Sequence, residues 1–399
     1  VRAVTFALRD RALPSNEGRG YILRRLIRRA IMHARRLGIK DNFLTKLVPV
    51  VADIMADFYP EVKADQDFIQ DVIKTEEDRF NETINEGEAI IQEVIATLEA
   101  EHNKVMSGAQ AFKLYDTYGF PLELTQEYLE EVGIDVDLSG FEEAMKAQRE
   151  RARAARKDST GMAVQSGVLS EIDVTSTYVG YDQLVVETRV NTIVSGDALV
   201  SAAEAGDEVY LVAEQTPFYA EMGGQIADTG DVLEEDGQLS GHVVNVVRAL
   251  NGQHLHEVKL EVAIVLDQTV QLAVDRRRHH SIEKNHTATH LLHQALKDVL
   301  GDHANQAGSL VTADHLRFDF SHFGQVTDEE LAEMEAKVNE AIAEAFPVVT
   351  TVTSIDEARA AGAQALFGEK YGSEVRMVDI NHWSIELCGG THVDNTAEI

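Results

Sequence analysis

Four side chains in two distant stretches have the types and spacing to bind a metal ion. In "NHTATHLLHQALKDVLG", Asn285 to Gly301, His286 and His290 stand four residues apart. On a helix that spacing puts both imidazoles on one face, one turn apart. In "ELCGGTH", Glu386 to His392, the only cysteine of the chain, Cys388, precedes His392 by four residues, with Gly389 and Gly390 between them. With 15 histidines in the chain, an i,i+4 pair alone is weak evidence, and a lone cysteine is more often a small buried hydrophobe. Together, three imidazoles and a thiolate form the borderline-soft set that Zn2+ takes in tetrahedral geometry. The two glycines are expected to let the backbone turn sharply and come close to the helix pair. Thr287 follows His286 where a metalloprotease helix carries glutamate, so no general base is built into the helix. His293 reads as a packed histidine beside a core rather than a fifth ligand.

The helix that must carry His286 and His290 is expected to start at a cap, Asn285, to bury Leu291, Leu292, Ala295 and Val299, and to end at Gly301. After it, Leu316, Phe318 and Phe320 alternate with Arg317 and Asp319, as in a strand with one apolar face. Gln306, next to Ala307, Gly308 and Ser309, can present its amide to a bound substrate; a surface glutamine in a turn fits the spacing equally well. Thr327 with Glu330 reads as a capping box opening a helix to Phe346, followed by strands in "PVVTTVTSI" and "EVRMVDI". The last third is therefore an α/β layer holding the metal site.

Upstream, from about Ser170 to Asp275, short β-branched runs separated by Gly, Asp and Asn suggest a small antiparallel barrel or sandwich. Its outlier, "TPFYAEMGGQIADTG", lacks the lysine and the strand-to-helix context of a nucleotide loop. It is expected to pack the barrel against its neighbour. Lys157 to Gly167 reads as a linker.

The first third is helical. Leu23, Leu26, Ile27, Ala30, Ala34 and Leu37 follow one helix face, while Arg24, Arg25, Arg28, Arg29, Arg35 and Arg36 take the other. That run has no acid at i+4, so self-repulsion favours phosphate contact. Ile69 to Leu98 shows long helical periodicity with a break expected near Gly87, and "AFKLYDTYGFPLELT" gathers aromatics around Asp116. The net charge of -32 argues against a nucleic-acid partner until its distribution is considered. Residues 1–40 hold 11 basic side chains against two acids, leaving 25 basic and 66 acidic residues for the rest. A basic island on an acidic body admits a polyanion at one place.

No run of about 18 apolar residues exists to span a bilayer, so no membrane role is expected. One cysteine cannot form an internal disulfide and no signal peptide opens the chain, which suggests a cytoplasmic setting. A chain of 399 residues starting at Val1 reads as several domains cut from something longer.

Read in order, "RALPSNEGRGYILRRLIRRA", "LYDTYGFP", "TPFYAEMGGQ", "HTATHLLH", "GSLVTADHLRFDFSH" and "LCGGTHV" resemble the alanyl-tRNA synthetases along the whole chain. The resemblance implies a multidomain α+β fold. Its parts would be a helical domain for the tRNA acceptor stem over 1–165, a β-barrel over 166–275, and an α/β zinc-containing editing domain over 276–399. It implies that Asn16 and Asp116 read a G·U wobble pair of alanine tRNA while Arg24, Arg25, Arg28 and Arg29 hold phosphates. It matches His286, His290, Cys388 and His392 to zinc ligands, and it makes Gln306 and Cys388 the candidate catalytic residues for hydrolysing serine or glycine misattached to the tRNA. Ala307 departs from the lysine that many relatives carry. ATP and Mg2+ would belong to an aminoacylation core that is not found in this stretch. Editing is what pocket energetics require, because one added hydroxyl gives a small apolar site only about 100-fold discrimination. With four protein ligands the coordination sphere is full, which favours orientation of substrate or exchange of His392 over a permanent hydroxide. A free-standing misacylated-tRNA hydrolase and an RNA-binding protein with structural zinc are the alternatives.

Overall fold

A computed structural model of the chain describes residues 1–15, 18–157, 176–249, 252–364 and 372–399. These fall into two compact units, Val1–Thr160 with Phe323–Gln325, and Gly161–His322 with Val326–Ile399. Among the described residues, no helix is long and apolar enough to cross a membrane.

The first unit is built from α1 (Arg2–Arg9), α2 (Gly18–Arg36), α3 (Leu44–Met55), α4 (Pro60–Ala64), α5 (Gln66–Ala100), α6 (Gly108–Tyr118), α7 (Leu122–Glu130) and α8 (Leu138–Lys157). A two-residue parallel pair, β1 (Val105–Met106) with β2 (Asp135–Val136), closes one end. On α2 the buried row is Leu23, Ile27, Ile31 and Ala34, whereas Leu26 and Leu37, expected on that face, are 47% and 80% exposed. The row steps by four and three residues, so Leu26 falls on its flank. Glu77 of α5, only 1% exposed, accepts from the backbone N–H groups of Phe43, Leu44 and Thr45. It thereby supplies the cap that the α3 sequence lacks.

No break occurs at Gly87: α5 runs 35 residues through it. A Cβ at Gly87 would lie 1.9 Å from the Phe120 ring, so the glycine admits that fully buried ring against the helix. The Ser107–Gln110 capping box opens α6, and Gly119 ends it at φ +66, turning the chain so that Phe120 enters the core. The linker expected after Lys157 lies outside the described residues.

The second unit begins with β3 (Thr177–Tyr178), β4 (Val185–Ser195), β5 (Ala198–Val200), β6 (Ala202–Ala203), β7 (Glu208–Ala213), β8 (Gln215–Thr216), β9 (Gly230–Leu233), β10 (Leu239–Arg248), β11 (His254–Leu260), β12 (Ile264–Val265) and β13 (Thr269–Val274). The sheet order is β13-β9-β10-β11-β7-β4-β5, and β13 also pairs with β4, which closes six antiparallel strands into a barrel. Alternate residues such as Val186, Val190, Val232, Val246, Val258 and Leu272 fill it.

The remainder is α9 (Arg276–Leu300), the hairpin β14 (Gln306–Val311) and β15 (Leu316–Phe320), α10 (Asp328–Ala343), and a three-stranded sheet with α11 (Ile355–Ala360) between its first two strands. That sheet runs β16 (Val348–Ser354), β17 (Glu374–Ile380), β18 (Ser384–Leu387). The Thr327–Glu330 capping box opens α10. The helix carrying the histidine pair starts at Arg276 rather than at Asn285. Asp275, directly after β13, caps it by accepting from the N–H groups of Arg277 and Arg278. Asn285 is interior, and its amide donates to the Thr312 carbonyl. Leu291, Ala341, Val348, Val378, Ile380 and Val393 form the core beneath the metal-binding end.

Candidate metal centre

One turn of α9 and the loop after β18 face each other. The structure brings His286, His290, Cys388 and His392 together, one ligand atom from each lying within 4.8 Å of the others. Cys388 Sγ is 3.4 Å from His286 Nε2 and 3.3 Å from His392 Nε2. Bond lengths of about 2.0–2.3 Å in a tetrahedron set ligand atoms roughly 3.3–3.8 Å apart, so these two edges suit zinc. Gly390 acts by admitting a neighbour rather than by a left-handed turn, since neither it nor Gly389 has a positive φ. A Cβ on Gly390 would lie 2.0 Å from His286 Cε1.

On the far side of the cluster two ring nitrogens are hydrogen-bonded, and the third, His290 Nδ1, is within ion-pair range of a carboxylate without a hydrogen bond. His286 Nδ1 is 2.6 Å from Gln225 Oε1, His392 Nδ1 is 3.1 Å from Thr287 Oγ1, and His290 Nδ1 is 3.5 Å from Glu386 Oε1. His293 donates to Glu386 at 3.0 Å and packs on Phe318 with ring centres 5.1 Å apart, the packed role expected of it. The Gln225 oxygen holds a proton at His286 Nδ1, which leaves the His286 Nε2 lone pair free to face the sulfur.

The loop is held by its carbonyls too. Arg376 donates to the Cys388 and Gly390 carbonyls at 3.0 and 2.7 Å, and the Tyr181 hydroxyl donates to the Gly389 carbonyl between them at 2.6 Å. The same guanidinium lies 4.2 Å over the Tyr181 ring.

Burial opposes charge on the Cys388 sulfur, yet the three surrounding imidazoles outweigh it and hold the thiol well below its ordinary range. For His392, burial and the neighbouring His286 push the pKa down to about 3. Burial also opposes charge on His290, but Glu386 and Cys388 raise it to about 10. A cation entering would displace that proton, the ordinary linkage of metal binding to proton release.

Gln306 opens β14 opposite Phe320, in a strand rather than a turn, and is not among the hydrogen-bond partners of the four clustered side chains. In the first unit, Arg24 and Arg28 both reach the buried Glu76, at 3.2 and 2.7 Å, whereas Arg25 and Arg29 are exposed. Asp116 is exposed on α6 and accepts from Gln148 at 3.1 Å. Asn16 lies outside the described residues.

Residue spacing missed Gln225, Thr287, Glu386 and Arg376 as supports of the centre. Gln225 and Glu386 sit in the motifs "TPFYAEMGGQ" and "ELCGGTH", but only the fold shows which ring nitrogen each addresses. The barrel segment does pack against its neighbour: Asp228 sits 2.9 Å from His279 Nδ1, and Arg278 donates to the Ala227 carbonyl at 2.7 Å.

Residues 1–278 match the family model described as "tRNA synthetases class II (A)", and residues 375–399 match "Threonyl and Alanyl tRNA synthetase second additional domain". All of the chain aligns with proteins named alanine–tRNA ligase. Identity is 59% with that of Enterococcus faecalis, 56% with that of Bacillus cytotoxicus and 55% with that of Halalkalibacterium halodurans. The chain spans 45% of the length of each of these relatives.

Proposed function

The chain belongs to the class II (A) tRNA synthetases, the alanyl-tRNA synthetase family, and from that premise we propose that it binds the acceptor stem of alanine tRNA and hydrolyses serine or glycine wrongly attached to it. The proposed division is acceptor-stem recognition over 1–165, a barrel over 166–275 and a zinc-containing editing part over 276–399. Joining alanine to tRNA with ATP and Mg2+ is proposed for the longer proteins of the family, in a cytoplasmic setting.

The observation that carries the editing reading is the convergence of His286, His290, Cys388 and His392 with each outer imidazole nitrogen facing an oxygen. Three imidazoles and one thiol directed at a shared point are a zinc donor set. A bound Zn2+ would supply Lewis-acid polarisation and orientation of the aminoacyl ester. Arg376 and Tyr181 fix the loop carbonyls, so Cys388 and His392 keep their separation as substrate arrives. Gln306 is proposed to hold the amino-acid portion through its amide. It sits at the start of β14, whose other end, Val311, bridges to Gln225 beside His286.

On the first unit, Asn16 and Asp116 are proposed as readers of the acceptor-stem wobble pair, with Arg25 and Arg29 as phosphate contacts. Arg24 and Arg28 hold Glu76, so their contribution to RNA is the positive face they share with their neighbours.

The test is deacylation of Ser-tRNA by the chain, compared with Cys388→Ala and Gln306→Ala. Both variants are expected to bind tRNA like the parent and to hydrolyse at least 10-fold more slowly. Parent-like hydrolysis by both would remove the editing assignment.

A further inference from the structure

We infer that Gln225, supplied by the barrel, is a positioning residue of the metal centre: it sets the tautomer of His286 and the conformation of the Cys388–His392 loop. This rests on the zinc reading above and adds the requirement that a side chain from outside the ligand-bearing elements be in place for the ion to bind well.

Gln225 is fully buried, and its amide is engaged on both sides. Its Oε1 accepts from the backbone N–H of Thr391 at 3.0 Å, while its Nε2 donates to Thr391 Oγ1 at 2.9 Å. A backbone N–H can only donate, so the Thr391 contact fixes which end of the amide is oxygen. That oxygen also lies 2.6 Å from His286 Nδ1, and an amide oxygen only accepts. His286 must therefore carry its proton on Nδ1, leaving the Nε2 lone pair facing Cys388 Sγ. One atom thus orients a ligand from α9 and anchors the residue beside His392.

The support behind Gln225 is rigid. Gly223 and Gly224 adopt φ of +64 and +88, and a Cβ on Gly224 would lie 2.6 Å from the Ser309 carbonyl oxygen. Glycine is what lets the loop lie against β14. Val311 N–H donates to the Gly224 carbonyl at 2.7 Å and Ile226 N–H to the Val311 carbonyl at 3.1 Å, bracketing Gln225 with main-chain bonds. These bonds hold the Gln225 backbone, and its side-chain amide could leave His286 only by giving up both contacts to Thr391.

The experiment uses the whole chain, with zinc affinity measured by competition with a chromophoric chelator and Co2+ as a spectroscopic substitute for the bound ion. Gln225→Met keeps the volume and removes both polar atoms. Gln225→Glu keeps an acceptor for His286 and Thr391 and lets the Thr391 hydroxyl turn to donate. Met is expected to weaken zinc binding 10- to 100-fold, the range for lost outer partners of metal-bound histidines, and to shift the Co2+ absorption bands. Glu is expected to bind within a few-fold of the parent or tighter.

Equal affinity and spectra for parent and Met variant would overturn the inference, as would equal losses in Met and Glu variants. A parent that binds no zinc would overturn the metal centre and this inference together. A parent that binds zinc but leaves Ser-tRNA intact would overturn only the editing reading.

Discussion

Arg28 Nε stands 2.7 Å from Glu76 Oε1, on a carboxylate side chain only 4% exposed. Arg24 takes the other oxygen at 3.2 Å, so part of the arginine run that looked free of acidic partners is matched from α5. Arg28→Ala is expected to cost the first unit about 2–4 kcal/mol, because it leaves a buried carboxylate short of a partner. Arg25→Ala and Arg29→Ala are expected to leave the urea midpoint unchanged and each to lower the salt dependence of tRNA binding by about one ion. Urea titration and binding at several salt concentrations check both; the opposite pattern would exchange the two roles.

Removing the ion should act on the second unit alone. Dialysis against a strong chelator, or Cys388→Ala, is expected to abolish stoichiometric zinc and slow Ser-tRNA hydrolysis by about 100-fold or more, with affinity for the acceptor stem retained. Metal analysis, deacylation and filter binding on the same sample decide it.

The two glycines of the loop should respond differently. Gly390→Ala places a methyl 2.0 Å from His286 Cε1, whereas the nearest atom to a Cβ on Gly389 is the flexible Met222 Cε at 3.3 Å. Gly390→Ala is expected to lower zinc affinity at least 10-fold, and Gly389→Ala less than three-fold, as read by chelator competition.

A titration is built into the joint between barrel and helix. Burial opposes charge on His279, but the hydrogen bonds it donates to the Asp228 and Glu283 carboxylates outweigh it and raise its pKa to about 9. With the folded value above the unfolded one of about 6.5, the stabilisation is complete below pH 6.5 and is lost as pH rises through 9. About 3 kcal/mol of the second unit's stability should vanish across that window in thermal melts, and His279→Gln should flatten this part of the profile.

Gly87→Ala tests close packing in the first unit. Alanine is the better helix former by about 1 kcal/mol, yet its methyl would meet the Phe120 ring. A net loss of about 1–3 kcal/mol in urea titration is expected. A gain in stability would mean the ring can move aside.

The cluster of His286, His290, Cys388 and His392 was legible because ligand type and i,i+4 spacing survive in one dimension, and the "CGGTH" loop is short enough to constrain itself. The helix, barrel and sheet regions followed from periodicity. Where the reading missed, the deciding partner lay far along the chain. Ile31 is buried and Leu26 exposed because packing selects a stripe that apolar content alone leaves ambiguous. Asp275 caps α9 because β13 ends there, and Gly87 sits within an unbroken helix because Phe120 arrives from another element. Gln225 was hidden for the same reason: 61 residues separate it from His286.

Helix α5 works as a gauge. Glu76, which anchors the arginine helix, and Gly87, which seats Phe120 beyond the Asp116 helix, lie on one uninterrupted rod with about 16 Å of rise between them. Because each residue turns the rod by about 100°, adding or deleting one residue between these positions would swing one attachment around the axis relative to the other as well as change their separation. Evolution can therefore vary the side chains along that interval far more freely than its length.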